Sequence, residues 1–115
     1  MSKFGIQRYK TSLTILNTTT NVVSSALPLN GLLRGISISA PALTGASYTV
    51  TIKDADGFTV YTKAALAPNA LTSAFVDANN QPLQLPLSGS HTITLLSAGT
   101  EGADRAFALA LLIAR

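Results

Sequence analysis

Short alternating runs, broken by glycine, proline and asparagine, dominate this chain and restrict it to folds made of strands. In Tyr48–Lys53, the residues Tyr48, Val50 and Ile52 fall on one side and Thr49, Thr51 and Lys53 on the other. A half-buried strand requires this period of two, because successive side chains point to opposite faces. Asp54-Ala55-Asp56-Gly57 follows as a turn in which Gly57 supplies a positive φ, and Phe58–Thr62 returns as the second arm of a hairpin. Alternation recurs in Thr11–Asn17, with Leu13 and Ile15 opposite Ser12 and Thr14, and in Ser90–Leu96, with His91, Ile93 and Leu95 opposite Ser90, Thr92 and Thr94. Gly31–Ser39 sets Leu32, Arg34, Ile36 and Ile38 against Leu33, Gly35, Ser37 and Ser39, a register in which Arg34 needs a partner or an open strand end.

Two stretches are less regular. Between Ala64 and Pro86, Ala64-Ala65-Leu66-Ala67 fits a short helical turn stopped by Pro68, Val76–Pro82 an exposed loop, and Leu83–Leu87 a short edge strand. The closing run Asp104–Arg115 is almost wholly apolar, which fits a strand covered on both faces or a short helix. Its alternation of large and small residues favours the strand. Phe107, Leu109, Leu111 and Ile113 then face the core, while Ala106, Ala108, Ala110, Leu112 and Ala114 form a small-residue face suited to packing against another subunit. About eight short strands with turns between them predict an all-β fold, a two-layer antiparallel β-sandwich of jelly-roll or immunoglobulin-like order. Asn17-Thr18-Thr19-Thr20-Asn21 reads as a flexible join.

The 115 residues suffice for one domain. We divide them into residues 1–21, a basic N-terminal arm with the first strand, and residues 22–115, the sandwich. Charged residues make up 11% of the chain, against a usual share of about 25%. Serine, threonine, alanine, asparagine and glycine take their place. So uncharged a surface is expected where neighbouring subunits cover it, although a secreted or simply threonine-rich sandwich has the same composition. Cysteine is absent, so neither disulfides nor thiolate metal sites can form. The N-terminus lacks the apolar stretch of a signal peptide and no segment is apolar enough to span a membrane, which predicts synthesis and retention in the cytoplasm unless an assembly carries the chain out.

The net charge of +3 comes entirely from Lys3, Arg8 and Lys10. From residue 11 onward Arg34, Lys53, Lys63, Arg105 and Arg115 balance Asp54, Asp56, Asp77, Glu101 and Asp104. Because apolar residues are interleaved with those three cations, Lys3, Phe4, Arg8, Tyr9 and Lys10 are candidate interface residues for a groove on a partner; the alternative is a frayed terminus or a first edge strand. Three cations supply little counterion release, so nucleic acid is not an expected partner.

No catalytic constellation stands out. His91 is the single histidine and falls on the apolar side of its run, without a Gly-x-Ser-x-Gly elbow, so a satisfied buried or edge histidine is expected in place of a hydrolase centred on it. Asp54–Gly57 has the opening of a calcium loop without its later oxygen ligands, and no glycine-rich phosphate loop joins a strand to a helix. No enzyme activity, cofactor or metal is expected.

The Leu29–Ile38 segment, the Tyr48–Tyr61 hairpin and the apolar terminal strand ending in Arg115 resemble the small β-sandwich virion proteins of tailed bacteriophages, over roughly residues 22–115. Within that group the chain is most similar to head decoration, or cement, proteins. This resemblance implies a non-enzymatic protein, made in the host cytoplasm and carried in the virion, that binds the joints of the major capsid protein and stabilises the shell, associating with copies of itself and with no membrane. Small tail, neck or fibre proteins share the fold and remain alternatives, as does a carbohydrate-binding module. The last is disfavoured by the absence of tryptophan and by only three tyrosines.

Overall fold

The computed structural model describes residues 5–77 and 79–114, and among them every regular element is a strand. The strands are β1 (Ile6–Ile15), β2 (Asn21–Val23), β3 (Leu27–Pro28), β4 (Gly31–Ser39), β5 (Tyr48–Asp54), β6 (Thr59–Leu66), β7 (Leu71–Ala74), β8 (Leu85–Leu87), β9 (Ser90–Ser97) and β10 (Arg105–Ala114). All pairings are antiparallel and produce two sheets. Sheet A runs β1-β10-β4-β7, with β8 also on β4; sheet B runs β2-β9-β5-β6, with β3 also on β9. β7 pairs with Ile36–Ser39 and β8 with Gly31–Leu33, so the two lie end to end along one side of β4. β2 and β3 divide one side of β9 in the same way. The first strand lies beside the last, and the chain crosses between the sheets at every connection except β2–β3, β5–β6 and β7–β8, which is the jelly-roll order and not the immunoglobulin one.

Alternation explains how the sheets close on each other. From sheet A the inward residues include Leu13, Ile15, Ile36, Ile38, Phe107, Leu109, Leu111 and Ile113, and from sheet B Tyr48, Val50, Ile52, Ile93 and Leu95, all buried. Tyr48 and Phe107 meet edge to face at the centre, ring centroids 5.1 Å apart and planes at 62°. Each large side chain so buried contributes about 1.5–3 kcal/mol relative to exposure. The terminal run is therefore a strand, and it alternates large-in and small-out from Ala106 to Ala114 except at Leu112, a large residue on the outer side.

Three local readings of the sequence change. β4 has its predicted limits, but its pairing with β10 slips between Leu112 and Ile113, where Gly35 and Leu33 are the successive partners. Arg34 is the extra residue of this bulge. The slip turns Leu33 into the core together with Ile36 and leaves Leu32 partly exposed. Ala64–Leu66 continues β6 instead of starting a helical turn, because Leu66 pairs with Tyr48 and is buried. Finally, residues 17–21 are clasped: Thr18 N donates to Glu101 O at 2.8 Å, Ser97 N to Thr20 O at 2.7 Å, and Asn17 N to Asp104 Oδ1 at 2.8 Å.

Glu101 is the polar centre of that end of the sandwich. Its buried carboxylate accepts from Thr44 N at 2.8 Å, Gly45 N at 3.2 Å and Arg105 Nε at 2.9 Å. Burial alone pushes this carboxyl up, but hydrogen bonds from Thr44, Gly45, Arg105 and Ser97 outweigh it and hold the group below its ordinary value. One side chain thus ties the connection after β4 to the one before β10.

Candidate assembly surface

β1, β10, β4 and β7 lie side by side, and their outward residues form rows across sheet A. One row is Lys10, Ala110, Ser37, Ser73; the next is Ser12, Ala108, Ser39, Leu71; a third runs Arg8, Leu112, Gly35. Methyl and hydroxyl groups make up most of the middle of the sheet, with Leu112 on β10 the exception, and long side chains stand at its sides. The result is a trough of about 540 Å³, rimmed by Arg8 and Lys10 on β1 and by Leu71 and Phe75 at β7. Three strand spacings separate the rims, about 14 Å. Leu71 is 71% exposed and Phe75 49%. Phe75 can lie over β4 only because residue 35 is glycine: a Cβ there would stand 2.5 Å from Phe75 Cδ1. Ser37 and Ser73 share a hydroxyl hydrogen bond of 3.0 Å that levels the floor.

Of the interface residues predicted from the sequence, Arg8, Lys10, Ala108, Ala110 and Leu112 meet in this one trough. Tyr9 points the other way and packs against the core, as strand alternation demands of a residue between Arg8 and Lys10. Ala106 and Ala114 lie on the outward side of β10, toward its two ends. Lys3 and Phe4 fall outside the described residues. Residues 6–15 pair along their full length with β10, so this part of the basic segment is an edge strand of the domain. Arg8 and Lys10 have no ion-pair partner among the described residues.

Sequence reasoning missed Leu71, Ser73 and Phe75. Their strand sits in the stretch read as irregular, and its four residues alternate too briefly to stand out.

The residues weighed for catalysis do not converge. His91 is 2% exposed and its Nδ1 lies 3.0 Å from Gly89 O. Asp54 is its neighbour across β5 and β9, but Asp54 Oδ1 accepts from Asp56 N at 3.0 Å and Phe58 N at 2.9 Å and so holds its own turn. No hydrogen bond joins His91 to a carboxylate or serine hydroxyl among the described residues. Nor do three side chains of His, Cys, Asp or Glu gather there as a metal site would require.

All three tyrosines are turned inward: Tyr48 is core, and Tyr9 and Tyr61 pack against it. Burial raises the hydroxyls of Tyr48 and Tyr61 above their ordinary pKa. No tyrosine ring therefore lies open on a sheet face in the way that sugar binding uses aromatic rings.

No family model matches the chain, and no curated protein matches it. Among solved structures it is similar to a chain of the cyanophage Pam1 capsid asymmetric unit, at 19% identity over 99% of this chain and 88% of that one, with a TM-score of 0.63. It is also similar to a chain from a study of CBM4 structure and function, at 11% identity over 96% and 95% of the two chains with a TM-score of 0.51, and to PirA, at 14% identity over 90% and 93% with a TM-score of 0.50. At these identities the likeness is one of fold, and the fold it supports is the single all-β sandwich described above.

Proposed function

We propose that this chain is a non-enzymatic structural component of a virus particle, a capsid decoration or cement protein that binds at joints of the major capsid protein and stabilises the shell. The observation that carries this reading is the outer face of sheet A, where a small-residue floor lies between two uncommitted cations and two exposed apolar side chains. Such a face suits permanent cover by protein. The likeness to a capsid chain adds support: the match leaves little of either chain over, so the partner in that comparison is itself small, as a decoration protein would be. In this role the chain joins copies of itself and a larger shell protein. Assembly runs through Arg8, Lys10, Ala108, Ala110 and Leu112, with Lys3, Phe4, Ala106 and Ala114 as the remaining candidates on the same two segments. Burying on the order of 1,600 Å² per joint would be sufficient, and many copies would add avidity. The same surface would serve a tail, neck or fibre component.

The test is quantitative peptide mass spectrometry of virus particles purified from the source of the gene. A constant copy ratio to the major capsid protein, retained in emptied heads, supports a coat component. A constant ratio in isolated tails moves the chain there, and absence from particles overturns the virion reading. The likeness to the CBM4 chain favours a second reading, a carbohydrate-binding module. The inward tyrosines count against it, and saturable binding on a glycan array would revive it.

A further inference from the structure

The trough of sheet A and the β5–β6 turn are complementary in both charge and apolar content. Among the described acids, Glu101 is buried, while Asp54, Asp77 and Asp104 each accept hydrogen bonds from backbone N–H groups: Asp54 from residues 56 and 58, Asp77 from residues 79 and 81, and Asp104 from residue 17. Asp56 alone has a carboxylate with no hydrogen bond or ion pair among the described residues. It sits at the tip of the hairpin turn, where Gly57 takes a φ of +86°, and two residues on is Phe58, 71% exposed. Most of that phenylalanine's surface is therefore left to solvent. Across the molecule, the trough offers what this tip lacks, two cations without acids and an apolar wall.

We infer that the trough receives the Asp54–Phe58 turn of a second copy, with Asp56 between Arg8 and Lys10 and Phe58 against Leu71 and Phe75. This rests on the reading of sheet A's outer face as an assembly surface, and names its occupant. Asp56 and Phe58 lie at most about 7 Å apart along the chain. The long side chains of Arg8 and Lys10 span the remainder of the roughly 14 Å between rims. Turn and trough are different surfaces, so the contact is heterologous: each copy gives a turn and receives one, and repetition closes a ring or extends a row. Rings or rows of a small protein are what a shell surface can organise. A five-residue turn buries much less than a standard interface, so the free contact is weak, with a dissociation constant on the order of 100 µM.

The experiment is sedimentation velocity of the full chain from about 10 µM to 1 mM at low and high salt, concentrations that bracket this affinity. The wild-type mass should rise with concentration, and less so at high salt. Lys10→Glu and Asp56→Lys, both exposed changes, should each weaken association by roughly tenfold or more while leaving the melting temperature in place. Mixed together, the two variants should associate again, because each supplies the surface that the other lacks and the two reversed surfaces match. Phe58→Ser should weaken association by the same factor at low and at high salt. A wild-type chain that stays monomeric at 1 mM in low salt overturns the proposal, as does association that survives both reversals or a mixture that fails to recover. None of these results alters whether the chain is found in particles, so failure here is distinct from failure of the virion reading.

Discussion

On the outer face of sheet B, Thr51 and Thr62 lie 3.1 Å apart, hydroxyl to hydroxyl, across β5 and β6, and Thr94 sits beside Thr51 on β9, with Thr49, Thr92 and Lys53 in neighbouring positions. On the outer face of sheet A, alanines, serines and one leucine, Leu112, occupy the corresponding middle strands, and most of the side chains that project stand at the margins. Both faces are poor in charge and both arise from alternation. They differ in side-chain height across the sheet. The outer face of sheet B mixes threonines, two of them joined hydroxyl to hydroxyl, with the longer Leu96 and Lys53 on its middle strands. Short side chains between long ones give sheet A a hollow with unsatisfied cations on one rim. A face becomes a receptor through the contrast between its centre and its edges, and composition alone does not reveal that contrast.

Removing what the two faces share should have the largest effect. Phe107→Ala deletes the ring that meets Tyr48 between the sheets and should destabilise the fold by about 3–5 kcal/mol, read by urea denaturation. Both outer faces should be lost together, and survival of either one after unfolding of the other would break the picture of a single core. Glu101→Ala should cost about 3 kcal/mol, since it leaves Arg105 and two backbone N–H groups without their acceptor. The pH dependence has a definite sign. The folded pKa of Glu101 is lowered from 4.5, so its stabilisation is complete above pH 4.5 and is lost as pH falls toward the folded pKa. Glu101→Ala should therefore reduce the acid sensitivity of the melting temperature below pH 4.5.

The comparison itself is sharpened by placing one arginine on each face. Ala110→Arg fills the floor of the trough and should weaken self-association about tenfold, roughly 1.4 kcal/mol, while Thr94→Arg on sheet B should leave association unchanged. Equal effects would mean that the trough has no special part. The smallest change is expected from Thr62→Val, which removes the hydroxyl pair with Thr51 but keeps the shape, at a cost of about 0.2–1 kcal/mol by thermal denaturation.

Particular residues mark how far the sequence could be read. Tyr48–Lys53 and Ser90–Leu96 were legible because their burial follows from local alternation alone. The phase of β4 was not, since the slip opposite Leu112 and Ile113 belongs to a pair of strands and only one of them is seen at a time. Arg8, Lys10 and the alanines of β10 were recognisable as two separate segments, but not as one surface. That required β1 to lie along β10, which puts Lys10 beside Ala110. Leu71 and Phe75 had no local signal, because a four-residue strand after Pro68 and Asn69 looks like the loops around it.

By itself, the sequence determined an all-β chain with a neutral body, a one-ended excess of positive charge and a terminal strand large on one side and small on the other, since each of these is a property of neighbouring residues. Tertiary structure alone decided the jelly-roll order, the bulge that turns Leu33 inward and the trough on sheet A. These depend on which distant strands become neighbours, and strand pairing is selected by the burial of whole faces, which no single segment carries.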